Sequence, residues 1–165
     1  MWYNERRNKV TMGRIKKILL GTVIVFIAIQ FIQPARNKSG QVLPTDFAKI
    51  YVVPNNIQSI LQNACYDCHS NNTNYPWYSN IQPMAWVMAG HIKNGKEKLN
   101  FSGFGGNTTR KQISKLKEML NQVKDNEMPL WSYKLMHKNA RLTQSETTLL
   151  MDWMQKKADS LSTGN

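Results

Sequence analysis

Cysteine is nearly absent from this 165-residue chain: there are only two, three positions apart, so they supply no disulfide framework for a small secreted domain. Acidic residues are scarce as well, ten against 22 lysines and arginines, for a formal charge of +12. Six basic residues and one acid lie within the first 17 positions, which leaves +7 for the rest. A solvated basic face accounts for that excess, and no nucleic-acid partner is expected. Internal repeats are missing. So is the alternation of apolar and polar residues that marks a half-buried strand, which leaves an all-α chain.

One long apolar run stands out against this background. Eighteen residues, Ile18 to Ala35, carry no charge, and Ile18 to Ile32 (ILLGTVIVFIAIQFI) is almost wholly aliphatic. As one helix the run would span ~27 Å, close to the hydrocarbon thickness of a bilayer. It ends in Gln33-Pro34-Ala35-Arg36 without a small-x-small cleavage site, so an uncleaved anchor is favoured over a cleaved signal peptide. Arg6, Arg7, Lys9, Arg14, Lys16 and Lys17 precede the run, and only Arg36 and Lys38 follow closely. The positive-inside rule then keeps the N-terminus in the cytoplasm. The expectation is a single-pass protein of the cytoplasmic (inner) membrane, touching lipid through residues 18–35, with the remainder on the periplasmic or extracytoplasmic side. Residues 1–17 form a basic tail, 36–45 a polar linker, 46–160 the working domain and 161–165 a tail.

Helical spacing recurs through that domain. Ile57, Ile60, Leu61 and Ala64 follow Pro54 and predict a helix ending near Cys65. Asn71 to Pro83 reads as loop. A second helix is expected from about Pro83 to Lys98 and a third from about Thr108 to Val123, through Ile113, Leu116 and Leu120. The last opens on the capping box Thr143-Gln144-Ser145-Glu146 and continues through Leu149, Leu150, Trp153 and Met154. Met84, Met88 and Met119 fall within helices and are expected in the core, as are Met151 and Met154.

The chemistry lies in Cys65-Tyr66-Asp67-Cys68-His69, the c-type haem attachment pattern. In that pattern two thiols one helical turn apart bond covalently to the haem vinyl groups, and the adjoining imidazole reaches the iron. A thioredoxin-type dithiol would need a βαβ setting, and zinc about four ligands in tetrahedral geometry; neither fits. The aromatic loop Tyr75, Trp77 and Tyr78 follows the histidine closely enough to cover an apolar haem face and to offer a carbonyl to the other nitrogen of His69. The run Leu99-Asn100-Phe101-Ser102 reads as local turn bonding without chemistry.

The attachment motif extended to Asn71, with Tyr75-Pro76-Trp77-Tyr78, Ile81-Gln82-Pro83, His91, Gly95, Leu99-Asn100-Phe101-Ser102, Glu127-Met128-Pro129, Tyr133, His137 and Leu142, resembles the haem-binding domain family of bacterial envelope proteins over about residues 50 to 155. The resemblance implies one covalent haem c and its iron in a cytochrome c-like helical domain, with Cys65, Cys68 and His69 as the attachment set and Pro83 among the cofactor-binding positions. Small and aromatic residues of an attachment helix in such cytochromes are replaced here by Ile57 and Leu61, with Trp153 able to supply bulk from the last helix. Cytochromes of this kind place a ligand methionine in the loop before the last helix. Met128, 59 residues after His69 and stiffened by Pro129, matches that position; His137 and His91 remain alternatives. Met1 and Met12, ahead of the apolar run, are set aside.

One-electron transfer to an unidentified redox protein is the expected function, not stand-alone catalysis. An enzyme or gas or peroxide sensor with an open distal site, using His91 as a distal base, is one alternative. A haem-bearing subunit of a larger envelope complex is the other.

Overall fold

The computed structural model describes residues 2–164, with side chains from residue 13 onward. Met1, Asn165 and the side chains of residues 2–12, among them Arg6, Arg7, Lys9 and Met12, lie outside that description. Among the described residues every regular element is a helix. The chain divides into two compact units, residues 1–36 with 76–90 and residues 37–75 with 91–165.

The first unit contains α1 (Trp2–Gln30), a 3-10 turn (Trp77–Asn80) and the start of α5 (Met84–Lys98). Helix α1 ends earlier than the apolar run does, for local reasons. Pro34 has no N–H to offer the Gln30 carbonyl, and that carbonyl is met by the Gln33 side-chain amide at 2.9 Å. Two residues on, the Ile32 carbonyl accepts from Gln82 Nε2 at 2.7 Å and from Trp86 Nε1 at 3.0 Å. Gln82 is fully buried, and its own N–H donates to Gln30 Oε1 at 2.9 Å. Side chains thus capture the backbone that another helical turn would have used.

This early stop corrects the expected membrane anchor. Thirteen residues, Ile18 to Gln30, are both charge-free and helical. They span ~20 Å, well short of the ~30 Å hydrocarbon core. Extending the window towards the N-terminus brings in Lys17, Lys16 and Arg14. Among the described residues no helix is long and apolar enough to cross a membrane. The single-pass inner-membrane localisation, read from eighteen charge-free residues as if all were helical, is therefore overturned. Met84 is also misjudged: it is 44% exposed, whereas Met88 is buried as expected.

The second unit holds the core. Asp46 caps the short α2 (Phe47–Ile50), accepting from the Ala48 N–H at 3.0 Å. Phe47, wholly buried, meets Phe101, Phe104 and Trp153 edge-on, with ring centroids 5.2, 4.9 and 5.7 Å away. Helix α3 (Asn55–Ala64) buries Ile57, Ile60, Leu61 and Ala64, the stripe its spacing implied, and Cys65 closes it with an N–H to the Leu61 carbonyl. A separate turn, α4 (Tyr66–His69), follows. The rest of α5 leads to a 3-10 stretch, Phe101–Gly106, and then to α6 (Thr109–Lys124), α7 (Trp131–Met136) and α8 (Gln144–Thr163). Helices α6 and α8 pack together, and α8 brings Leu150, Met154 and Ala158 into the core beside α3. The capping box is formed in full by Thr143 and Glu146.

The polar segment after Arg36 is not a free spacer. Thr73 N–H donates to the Asn37 carbonyl and Ser39 N–H to the Asn71 carbonyl, each at 3.0 Å. Asn37 Nδ2 reaches the Ser70 carbonyl at 2.8 Å and Thr73 Oγ1 at 2.9 Å. Gly40, in the left-handed region at φ 67°, donates its N–H to Asn72 Oδ1 at 2.8 Å. Residues 37–40 are a strap bound to the loop that follows His69.

Candidate functional site

Cys65 lies at the junction of α3 and α4, and Cys68 and His69 lie in the single turn after it. Both backbone N–H groups of Cys68 and His69 point back to the Cys65 carbonyl, at 3.2 and 3.0 Å. This turn brings the thiols and the imidazole into one short helical patch. The thiols are unbridged. Burial pushes Cys65 up to about 12, with the neighbouring Cys68 adding to the shift. Burial pushes Cys68 up to about 11, with Asp67 adding to it. Both are therefore S–H groups at neutral pH. A dithiol–disulfide centre needs the opposite, an attacking thiol with a depressed pKa, so the electrostatics speak against redox-active cysteines.

His69 Nδ1 lies 3.0 Å from the Leu99 carbonyl. A carbonyl only accepts, so Nδ1 carries the proton and Nε2 keeps its lone pair. Burial holds the His69 pKa below its ordinary value against the opposing pull of the Leu99 and Gly95 carbonyls. The result is a neutral imidazole, oriented by a backbone carbonyl, with one nitrogen available to a metal. Phe101 meets its ring edge-on at 6.4 Å and stacks on Tyr66 at 4.8 Å.

The carbonyl on His69 comes from Leu99, not from the aromatic loop after it. Asn100 does make the expected local bond, accepting from the Ser102 N–H at 3.1 Å. The same run also reaches the motif: Asn100 Nδ2 donates to Asn71 Oδ1 and Asn71 N–H to Ser102 Oγ, both at 3.0 Å. Gly95 explains how α5 comes so near. A Cβ there would stand 2.7 Å from the Cys68 carbonyl oxygen, a backbone atom with no freedom to withdraw. Only the invitation of a glycine inside a helical pattern could have signalled this close approach.

The other expected residues fall in several places. Tyr75 Oη accepts from the Asn37 N–H at 2.8 Å, which joins it to the strap, with Lys38 Nζ 5.9 Å from its ring centroid. Trp77, 71% exposed, and Pro83, also exposed, belong to the first unit. His91 is half-buried on α5. His137 stacks on Tyr133 with centroids 4.0 Å apart and turns Nδ1 to the Tyr133 carbonyl at 3.2 Å. Met128 is half-buried between α6 and α7, with its N–H on the Gln122 carbonyl at 3.1 Å. It lines a cavity of about 340 Å³ with Val123, Pro129, Lys134, Arg141 and Leu142. Tyr133, not singled out for any role beforehand, sends its hydroxyl to Asp67 Oδ2 at 2.7 Å.

This donor set fits a haem iron: an oriented neutral imidazole, two protonated thiols one turn ahead of it and a soft thioether in the same unit. Among the described residues no group of three or more His, Cys, Asp and Glu is arranged to hold a bare metal ion. No curated protein and no solved structure matches the chain. A family model described as a haem-binding domain matches residues 24–156, and the chain belongs to that haem-binding domain family.

Proposed function

We propose that this haem protein is a monohaem c-type cytochrome that carries single electrons to and from a redox protein partner. The observation that carries the reading is the His69–Leu99 bond, which gives Nδ1 the proton and Nε2 the lone pair in the turn that carries two protonated thiols. Cys65 and Cys68 would hold the cofactor by adding S–H across its two vinyl groups, each addition forming one C–S bond and passing the proton to the neighbouring carbon. When bound, haem supplies an iron that exchanges one electron between Fe(III) and Fe(II).

The chain's own groups favour simple electron transfer. His69 is held in one tautomer and one orientation, so little rearrangement accompanies a change of iron charge. Met128 is the proposed sixth ligand; its soft thioether would favour the reduced state and, once in place, would keep peroxide and O₂ from the metal. The helical packing around α3, α6 and α8 supports a cytochrome c-like arrangement.

Optical spectra of the full-length holoprotein, oxidised, reduced and reduced with CO, test this reading. Low-spin spectra unmoved by CO, with haem that resists acidified organic solvent, are expected. Ready CO binding would overturn the filled sixth position and favour an enzyme or sensor, and extractable haem would overturn covalent attachment.

A further inference from the structure

We infer that Asp67, between the two cysteines, is a positioning residue: through Tyr133 it holds the Met128 loop in place against the attachment turn. The inference rests on the ligand role proposed for Met128. Asp67 is itself tightly fixed. Its Oδ1 accepts from the Asn74 N–H at 3.0 Å and its backbone carbonyl from Thr73 Oγ1 at 2.6 Å. The remaining oxygen, Oδ2, takes the Tyr133 hydroxyl at 2.7 Å, the length of a charge-assisted bond.

Tyr133 is equally constrained on its own side. Its ring is stacked on His137 at an interplanar angle of 19°, and its carbonyl accepts the His137 N–H at 2.9 Å. Four residues lie between Met128 and Tyr133, among them the buried Pro129 and the first two residues of α7. On the other side of Met128, the Gln122 carbonyl accepts two successive N–H groups, from Glu127 and Met128, at 2.9 and 3.1 Å. The methionine is therefore suspended between the end of α6 and a tyrosine tied to the motif. Losing the Asp67 bond removes the 2.7 Å tie from that end of the loop, which leaves the Tyr133 hydroxyl its longer contact with the Asn63 carbonyl at 3.4 Å, and the thioether detaches more often.

A ligand that occupies only the detached state binds in proportion to that state's population. CO binding to the reduced holoprotein reads it directly. Losing a hydrogen bond to a charged group raises the detached population about tenfold or more, so Tyr133→Phe and Asp67→Ala should each strengthen apparent CO binding by that factor. Both should weaken the far-red sulfur-to-Fe(III) band at unchanged haem content. Asp67→Asn keeps an acceptor and should fall between Asp67→Ala and the parent. The double variant should fall short of the two single effects combined, because both changes remove the same Asp67–Tyr133 bond. Met128→Ala sets the upper limit. If Met128→Ala binds CO while Tyr133→Phe and Asp67→Ala keep the parental affinity and band, the clamp is refuted and the ligand assignment survives. If Met128→Ala leaves the spectrum unmoved, the ligand assignment fails and the clamp falls with it.

Discussion

Two stretches of the second unit, one around His69 and one around Met128, are held in different ways. Around His69 the bonds come from distant positions: the Leu99 carbonyl, the Asn71–Ser102 and Asn71–Asn100 pairs, and the strap at residues 37–40. Around Met128 most bonds are local, as with Met128 to Gln122 and Lys134 to Asn126 at 2.9 Å, and a cavity of about 340 Å³ adjoins the side chain. Tyr133 supplies the long-range exceptions, its hydroxyl reaching Asp67 Oδ2 at 2.7 Å and the Asn63 carbonyl at 3.4 Å. Bonds between distant positions disappear only when the fold loosens, whereas a locally held loop opens on its own at low cost. The His69 side should therefore behave as a fixed anchor and the Met128 side as the place where ligands exchange.

The sharpest break in that contrast comes from His69→Ala. Loss of nearly all low-spin holoprotein is expected, measured as haem per polypeptide and by the reduced spectrum; normal loading would remove His69 from the iron. Cys65→Ala and Cys68→Ala come next. Each should leave at most one thioether and lower the holoprotein yield, and the double variant should release its haem to acidified organic solvent. Met128→Ala should cost less: haem stays attached, but the far-red sulfur band disappears, the potential falls and CO binds the reduced form. Should His137→Ala or His91→Ala turn the haem high-spin while Met128→Ala does not, the sixth ligand is that histidine.

Gly95→Ala separates helix propensity from close approach. In an open helix alanine would gain up to ~1 kcal/mol over glycine. With a new Cβ 2.7 Å from the Cys68 carbonyl oxygen, a loss of about 1–3 kcal/mol is expected instead. Denaturant unfolding of the holoprotein checks the sign.

The smallest effect belongs to the α8 cap. Thr143→Ala should cost about 1 kcal/mol, read from the same unfolding curves. The Thr143 N–H and hydroxyl hold the Glu146 carboxyl below its ordinary value of 4.5. The folded state thus takes up this proton less readily than the unfolded one. Its contribution is complete above pH ~4.5 and fades as pH falls through the folded value. Glu146→Gln should flatten that part of the acid unfolding profile without altering the haem spectrum.

Much of the helical framework was readable along the chain, because its cause is local. Apolar spacing placed α3, α6 and α8, and the capping-box pattern placed the start of α8 to the residue. The spacing of Cys65, Cys68 and His69 likewise needs only one turn of backbone. Composition misleads at α1, because absence of charge does not make a helix continuous. Pro34, Gln33, Gln82 and Trp86 ended it at Gln30, and two of those four residues lie some fifty positions away in sequence.

Residue order alone carries the chemistry on offer: two thiols and an imidazole in one turn, a family of haem-binding domains and helices to carry them. The tautomer of that imidazole depends on long-range packing, because the carbonyl that fixes it is on Leu99, 30 residues away. The same packing brings α5 into contact with the motif at Gly95 and Asp67 to Tyr133. A backbone carbonyl leaves no trace in residue identity, and a glycine or an aspartate is compatible with many settings. Their roles come from the partners that packing brings within 3 Å, which no local pattern encodes.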